Sequence, residues 1–279
     1  MILAVASGKG GTGKTTVAVN LARAANSRIQ LLDCDVEAPN DHLFLKGKIR
    51  DEFPVNVLIP SVDESLCDAC GECIEFCEFN AIVSLKTTPL IFPELCHSCG
   101  GCVEICPQKA ISEVPHRIGE IQISERNNIT LIQGRIDIGV AMAPPMIRAV
   151  KARLQNGNPV IIDAPPGNSC PVIAAIKDSD YVALVTEPTP FGLHDLKLAV
   201  EMTREIKIPF GVIINRVGVG DNRVQEFCDR EGIPILAEIP DDRRIAEAYS
   251  RGELIVDALP EYNRIFNNIL DQTLNGEAE

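Results

Sequence analysis

The sequence SGKGGTGKTT, residues 7–16, joins an apolar run at residues 2–6 to TTVAVNLARAA, residues 15–25, whose apolar side chains recur at helical spacing. Residues 8–15 match the pattern G-x4-G-K-[ST], in which glycines let backbone amide groups converge on phosphate oxygens. This pattern requires a strand before the loop and a helix after it. The stretch therefore predicts the nucleotide-binding loop of a P-loop NTPase.

The residues of this loop have separate expected roles. Lys14 is expected to reach the terminal phosphates, Thr15 to place its hydroxyl on a magnesium ion, and Thr16 to help hold the α-phosphate. The amino end of the following helix adds a partial positive charge of about half a unit. The full set of expected phosphate contacts is Gly8, Lys9, Gly10, Gly11, Thr12, Gly13, Lys14, Thr15 and Thr16.

Apolar runs that read as buried strands recur along the chain, separated by helical patterns. They are RIQLLDCD (28–35), PVIIDAPPG (159–167), YVALVTEP (181–188), PFGVIINR (209–216) and IPILAEIP (233–240). This alternation predicts an α/β fold with a mostly parallel sheet covered by helices on both faces. Residues 117–137 predict a hairpin that turns at Asn127 and Asn128. Residues 261–274 predict an amphipathic helix that packs on the core rather than on a membrane, since Arg264 is its only basic residue and the chain ends in GEAE.

Charge and hydropathy argue against several classes of protein. The formal net charge is −13 over 279 residues, which argues against binding to nucleic acid or anionic lipid. No stretch approaches the roughly 20 continuous apolar residues that span a bilayer, so no membrane insertion is expected. The opening MILAVAS lacks a basic region and a cleavage site, which indicates a cytoplasmic location.

Eight of the eleven cysteines lie in two runs, CDACGECIEFC (67–77) and CHSCGGCVEIC (96–106). Each run has the spacing C-x2-C-x2-C-x3-C of bacterial ferredoxins, in which the fourth cysteine ligates the other cluster. The pattern predicts two 4Fe-4S clusters, one held by Cys67, Cys70, Cys73 and Cys106, the other by Cys96, Cys99, Cys102 and Cys77. A zinc ion held by four thiolates is the alternative, although such sites usually show pairs of C-x2-C.

The strand and helix alternation breaks at residues 61–115, which we predict to be an inserted, bacterial-ferredoxin-like α+β module. The P-loop ATPase domain then comprises residues 1–60 and 116–279. The module contains nine acidic residues and two lysines, which suits docking to a basic partner surface or serves solubility alone. Pro107 follows the second run, but Glu78 stands where the first run would carry the usual proline.

Four further residues near these motifs have open roles. Cys228 is expected to pack as a small apolar side chain. Cys170 is expected to be either a cluster ligand or a buried or switch-adjacent thiol. His97, between two expected ligands, is expected at the surface, where it could also tune a cluster potential. Cys34 carries no assignment.

The segments KGGTGKTT, DCDVEAPN, DAPPGNSC and IINR resemble those of the MinD, ParA, Mrp and nitrogenase iron protein family, including its deviant phosphate loop with a second lysine. The resemblance implies that Lys9 reaches across a dimer to the partner's nucleotide. It also implies that Asp35 orients or activates the attacking water and is one of the magnesium residues with Thr15, and that Asp163 holds the ion, partly through water. Asp33 is expected to be either a member of this site or a strand-end cap, and Asp41 either a minor metal-shell residue or part of a surface loop.

The same resemblance implies a site for the adenine base. Asn215 would read the base, with Arg216 beside it, and Pro240 and Asp241 would line the pocket.

The whole pattern looks like the MinD-superfamily ATPases that contain an inserted ferredoxin domain. It implies magnesium-dependent ATP hydrolysis by a homodimer, or a heterodimer with a related ATPase, coupled to electron transfer from the clusters to a redox partner protein. The module lies between the two expected switch segments, near Asp35 and in DAPPG, so nucleotide state could reach the clusters. Two alternatives remain: an iron-sulfur assembly scaffold or carrier of the Mrp kind, and a positioning ATPase with redox-sensing clusters.

Overall fold

A computed structural model describes residues 1–84 and 88–274, so the GEAE ending lies outside the described residues. The strands in chain order are β1 (Ile2–Ala6), β2 (Ile29–Asp33), β3 (Lys48–Val62), β4 (Ile82–Ser84), β5 (Pro89–Ile91), β6 (Ile111–Arg126), β7 (Ile129–Ile136), β8 (Val160–Asp163), β9 (Tyr181–Thr186), β10 (Phe210–Val217) and β11 (Ile235–Pro240). The helices are α1 (Lys14–Ala24), α2 (Asp41–Leu45), α3 (Glu72–Phe76), α4 (Gly101–Ile105), α5 (Ala143–Lys151), α6 (Cys170–Ile176), α7 (Pro190–Ile206), α8 (Arg223–Glu231), α9 (Arg243–Ser250), α10 (Ile255–Ala258) and α11 (Asn263–Thr273). Two short 3-10 turns cover Pro93–Leu95 and Pro260–Tyr262.

The central sheet has nine strands in the order β11-β10-β9-β1-β8-β2-β7-β6-β3. Neighbouring strands from β11 to β7 are parallel, and β6 runs antiparallel to both β7 and β3. Strands in the middle of a parallel sheet are covered on both faces, which is why β2 and β8 are buried at every position. The predicted α/β fold with a mostly parallel sheet is confirmed.

Helices pack on both faces of this sheet. On one face, the buried side chains of Met146, Val172, Leu196 and Val224 bring α5, α6, α7 and α8 into one hydrophobic cluster. On the other face, α1, α10 and α11 form a second cluster. The last helix contributes Phe266, Ile269 and Leu270 to that cluster, so its predicted packing on the core is confirmed. No helix in the described part of the chain is long and apolar enough to cross a membrane.

The predicted hairpin at residues 117–137 is also confirmed. Arg126 of β6 pairs with Ile129 of β7, which leaves Asn127 and Asn128 as the two-residue turn. Asn127 has a φ of 53°, a left-handed conformation that asparagine tolerates better than most residues. The hairpin joins the antiparallel edge of the sheet to its parallel part.

The cysteine-rich segment lies at the end of a long antiparallel ribbon. Strands β3 and β6 pair from Lys48 with Glu125, at the sheet, to Val62 with Ile111, next to the cysteines. Beyond the ribbon the chain forms α3, the β4–β5 hairpin and α4. The predicted boundaries at 60/61 and 115/116 cross the ribbon near this far end.

The two cysteine runs share one backbone conformation. Left-handed residues recur 29 positions apart, as the pairs Ala69 and Ser98 and Gly71 and Gly100 within the two runs, and Asn80 and Lys109 just after them. The five-residue helices α3 and α4 stand in the same relation. The sequence repeat therefore produces a structural repeat.

Candidate functional site

The predicted phosphate loop lies at the carboxyl edge of the sheet, between β1 and α1. Ligands of open parallel sheets bind at this edge, where the connections leave to opposite sides of a central strand. The loop borders a cleft of about 550 Å³. The cleft is lined by Lys9, Gly10, Gly11, Gly13, Lys14, Thr15, Thr16, Asp35, Asn215, Arg216, Pro240 and Asp241, and also by Ser7, Val17, Asn40, Pro166, Ile239, Asp242, Ile245, Ala246, Tyr249 and Ile255. Gly8 and Thr12 complete the loop without lining the cleft.

Two glycines of the loop are required by close approaches. A Cβ on Gly13, whose φ is 88°, would stand 2.2 Å from Nδ2 of Asn215. A Cβ on Gly8 would stand 2.2 Å from the backbone oxygen of Asp195. Both distances are far below van der Waals contact, so the loop can pass these neighbours only as glycine.

A buried ion pair lies directly under the loop. Lys14 donates to Oδ1 of Asp163 at 2.6 Å, and the Thr15 hydroxyl donates to Oδ2 of the same carboxylate at 2.7 Å. Burial lowers the pKa of Lys14, but the attraction of Asp163, Asp35 and Asp41 outweighs burial and leaves this pKa above its usual value. The residues predicted to hold phosphate and magnesium are therefore in direct contact.

Three buried carboxylates meet beside this pair. Oxygen atoms of Asp33, Asp41 and Asp163 lie within 4.8 Å of one another, and all three residues are fully buried. Asp33 accepts backbone N–H groups of Asp35, Asn40 and Asp41 at 3.2, 2.9 and 3.2 Å, so it caps the segment that follows β2. Burial, together with the charge of Asp163, raises the pKa of Asp33 to about 7.

The expectation that Asp41 belongs to a surface loop is wrong. Asp41 is the first residue of α2, and the burial of Phe44 and Leu45 from the same helix draws it under the strand ends. Neither of its carboxylate oxygens has a hydrogen-bond partner among the described side chains and backbone groups. Burial and the charges of Asp33 and Asp163 raise the pKa of Asp41 well above its usual value. Three carboxylates this close together, one of them without a hydrogen-bond partner, offer the oxygen ligands that a hard cation such as Mg²⁺ prefers.

Asp35 and Lys9 lie further out, on the wall of the cleft. Asp35 is half-buried, and burial raises the pKa of its carboxyl group. The ammonium group of Lys9 lies 3.7 Å from Oε2 of Glu187, the residue that follows β9. The sequence analysis did not identify Glu187, although polar residues at the carboxyl ends of parallel strands are natural candidates.

The residues predicted to read the base lie on the opposite side of the loop from Asp35. Asn215 donates through Nδ2 to the backbone oxygen of Thr12 at 2.8 Å, and its Oδ1 accepts the N–H of Arg216 at 3.0 Å. The Arg216 guanidinium contacts Glu187 and Asp241, each at 3.1 Å. Ile245 and Tyr249 of α9 supply apolar wall that the sequence analysis missed, because α9 reaches the cleft only in the folded chain.

The eight clustered cysteines divide into two groups in space. One pocket is bordered by Cys67, Cys70, Cys73 and Cys106, the other by Cys77, Cys96, Cys99 and Cys102. Each group therefore takes its fourth cysteine from the other run, as the ferredoxin spacing predicts. Backbone N–H groups of Ser98 and Ala110 donate to the sulfurs of Cys96 and Cys106 at 3.4 and 3.3 Å.

The sulfur spacing bears on which metal group these pockets fit. Within residues 1–84 and 88–274, no three cysteine sulfurs lie within 4.8 Å of one another. Four thiolates around one zinc ion, at about 2.3 Å from it, would stand about 3.8 Å apart. The described cysteine sulfurs therefore do not stand at the spacing of a single four-thiolate zinc site in this structure.

The other residues with open roles lie outside these pockets or on their edge. Cys170 is exposed at the start of α6, whereas Cys34 and Cys228 are buried in the core. His97 borders the pocket of the second group and is exposed, as expected. Its ring stacks on Phe79 at 3.7 Å between centroids.

Comparison with known proteins shows which family this chain matches. Residues 3–255 match the CobQ/CobB/MinD/ParA nucleotide binding domain. Protein MJ0579 of Methanocaldococcus jannaschii is 30% identical over 96% of this chain and 95% of its own length. The iron-sulfur cluster carrier protein of Aquifex aeolicus is 28% identical over 93% of this chain and 63% of its own length.

Solved structures share the fold at lower identity. The septum site-determining protein MinD of Pyrococcus horikoshii, complexed with Mg-ADP, has a TM-score of 0.58 at 22% identity and covers 97% of this chain and 94% of its own. The Cyanothece McdA–ATP complex has a TM-score of 0.59 at 18% identity and covers 100% and 97%.

Proposed function

The chain belongs to the CobQ/CobB/MinD/ParA nucleotide-binding family, and from that premise we propose that it is a magnesium-dependent ATPase whose nucleotide state controls electron transfer from two 4Fe-4S clusters to a partner protein. One observation carries this proposal: the two cysteine groups lie at the end of the β3–β6 ribbon, and β6 pairs at Gly119 with Ile136, whose N–H donates to the backbone oxygen of Val36, next to Asp35, at 3.0 Å. Strand β3 begins soon after α2, the helix that starts at Asp41, and β6 returns through the hairpin to β7, the neighbour of β2. Movement of the Asp35–Asp41 segment would therefore act on the root of the ribbon.

The residues of the cleft suit phosphoryl transfer, which depends on positioning and charge neutralisation more than on covalent chemistry. In this proposal the loop amides and Lys14 hold the phosphates, and Asp35 orients the attacking water. Thr15 and Asp163 would hold magnesium, with Asp35 and Asp41 close to it, and the ion would supply further neutralisation of phosphate charge. Asn215, Arg216, Pro240 and Asp241 would enclose the base.

In this proposal Lys9 links ATP hydrolysis to formation of a dimer. It lies at the mouth of the cleft with 31% of its side chain exposed, so it can reach a nucleotide bound to a second chain. We assign the functional unit as a dimer, either of this chain or with a related ATPase. Cluster thiolates persist in a reducing compartment, which supports a cytoplasmic location.

The cysteine groups are the part of the chain that would hold the electron-transferring clusters. Each group offers four sulfurs, and a 4Fe-4S cluster held by four thiolates exchanges one electron at a time. The module carries nine acidic residues and two lysines, so its redox partner is expected to offer a basic surface.

Midpoint potentials test the proposed coupling. We expect both clusters, titrated anaerobically and monitored by EPR, to show potentials that differ between the nucleotide-free, Mg-ADP and non-hydrolysable Mg-ATP-analogue states. Allosteric couplings of about 1–3 kcal/mol correspond to shifts of about 40–130 mV for a one-electron couple. Equal potentials in all three states would contradict nucleotide control of electron transfer. The Lys14→Ala variant is the control, since its potentials should not respond to nucleotide.

A carrier or assembly scaffold for iron-sulfur clusters is the second candidate. The similarity to proteins named iron-sulfur cluster carrier proteins favours it. Each cysteine group, however, has four thiols from one chain, whereas a transferable cluster is more easily released from shared, incomplete ligation. Transfer of clusters to an apo-ferredoxin within minutes, with loss of iron from this protein, would favour the carrier. A positioning ATPase would instead show potentials and cluster content that do not depend on nucleotide.

Asp41→Asn provides a separate test of the magnesium site. Asparagine replaces a buried carboxylate crowded by Asp33 and Asp163 with a neutral amide that can donate to them, so we expect the metal-free protein to gain about 1–2 kcal/mol in free energy of unfolding. The same change should reduce the stabilisation that Mg-ADP provides, because one nearby negative charge is lost. Chemical unfolding with and without Mg-ADP measures both effects, and Asp51→Asn, at an exposed position of β3, is the control. If Mg-ADP stabilises wild type and Asp41→Asn equally, Asp41 is not part of the magnesium site.

A further inference from the structure

Glu187 contacts the phosphate loop and the base side of the cleft at the same time. One carboxylate oxygen, Oε2, lies 3.7 Å from the ammonium nitrogen of Lys9, and the other, Oε1, accepts from the Arg216 guanidinium at 3.1 Å. Only 12% of the Glu187 side chain is exposed, compared with 31% for Lys9 and 51% for Arg216. Glu187 is therefore the more buried member of both ion pairs.

The backbone of Glu187 is held in place by the start of α7. The backbone oxygen of Glu187 accepts the N–H of Thr189 at 2.8 Å, and Thr189 caps α7 by accepting the N–H of Gly192 at 3.0 Å. A Cβ on Gly192 would come within 2.2 Å of that same backbone oxygen. A segment packed this closely cannot shift without moving the start of α7, so the longer and more exposed side chain of Lys9 is the partner that can leave.

Arg216 fixes the second side of the carboxylate. Its guanidinium is shared between Glu187 and Asp241, which raises the pKa of Arg216 through both hydrogen bonds and keeps it charged. The neighbouring Asn215 contacts the backbone of Thr12. Glu187 thus connects the two ends of the phosphate loop, through Lys9 on one side and through Arg216 and Asn215 on the other.

We propose that Glu187 is a positioning residue that retains Lys9 within its own chain, so that Lys9 reaches the nucleotide of a second chain only after it separates from Glu187. This inference rests on the proposed function, in which Lys9 acts across a dimer. The ion pair opposes assembly, because the free chain loses it when the dimer forms. Removing the charge of Glu187 should therefore favour the dimer.

The first measurement concerns the free chain and does not depend on dimer formation. Without nucleotide, acetylation of Lys9 by acetic anhydride, followed by mass spectrometry and normalised to the exposed Lys177, reports how well the amine is held. We expect Glu187→Gln to raise the rate about threefold, since it removes the charge but keeps the shape. Glu187→Asp keeps the charge and should restore part of the protection. Glu201→Gln, the same change at an exposed position of α7, should have no effect.

The second measurement is the dissociation constant of the dimer formed with a non-hydrolysable Mg-ATP analogue, by analytical ultracentrifugation. We expect Glu187→Gln to lower this constant about threefold and Glu201→Gln to leave it unchanged. An unchanged or higher constant for Glu187→Gln overturns the proposal, as does an unchanged acetylation rate of Lys9. If the wild type binds nucleotide and forms no dimer, the dimer in the proposed function is wrong, and Lys9 acetylation alone decides whether Glu187 retains the lysine.

Discussion

Replacing Lys14 with alanine is expected to lower the rate of ATP hydrolysis by at least about 100-fold, the usual consequence of removing a charge that stabilises a transition state in a closed site. Lys14 is the buried cation of the cleft, with 7% of its side chain exposed, and it lies under the loop that is proposed to hold the phosphates. The affinity for nucleotide should fall with the rate, because the same charge faces the ground-state phosphates.

The Lys14 change should also destabilise the fold. Asp163 is fully buried and would lose its cationic partner at 2.6 Å while keeping its bond to Thr15. Removing one member of a buried ion pair costs about 3–5 kcal/mol. The double variant Lys14→Ala, Asp163→Asn removes both charges, so it should recover part of the stability without recovering hydrolysis.

Separating these two effects requires both measurements on each variant. Phosphate release gives the rate, and circular dichroism against denaturant gives the free energy of unfolding. Lys177→Ala, at an exposed position, is the matched control. Hydrolysis within a few-fold of wild type in a folded Lys14→Ala protein would rule out the cleft as an ATPase site of the proposed kind.

Cysteine replacement has the other large expected effect. With crossed ligation, Cys106→Ser removes the cluster that the first run holds, so iron should fall from about eight to about four atoms per chain. Adding Cys67→Ser affects the same cluster, and about four iron atoms should remain. Adding Cys96→Ser affects the other cluster, and almost no iron should remain.

Uncrossed ligation predicts the reverse outcome for the two double variants, so iron content alone decides between the arrangements. Visible absorption and EPR identify the remaining cluster, and Cys170→Ser, outside both pockets, should keep all the iron. About two zinc atoms per chain and no iron after anaerobic purification would contradict the cluster assignment. Loss of ligation should also loosen the module, since Cys73 and Cys102 form its small core with Ile82 and Ile111.

The features that local sequence determines are those with short, regular spacing. The phosphate loop needs glycines within a few residues of Lys14, and the ferredoxin runs need cysteines at fixed intervals, so both can be identified from the chain alone. Continuous apolar runs alternating with helical patterns likewise predicted the parallel sheet, turn residues predicted the hairpin at Asn127, and the amphipathic pattern predicted the packing of the last helix.

The contacts that only the tertiary structure decided join residues far apart in the chain. Asp41 was expected to be either a minor metal-shell residue or part of a surface loop, and it is buried because α2 packs under the strand ends. The position of Glu187 after a predicted strand marks it as a candidate, but its two partners, Lys9 and Arg216, come from the ends of other strands and are known only from the structure. Parallel strands place their carboxyl ends at one edge whatever their distance in sequence. Spacing along the chain thus determined the chemistry available to this protein, and the packing of the sheet determined which groups meet.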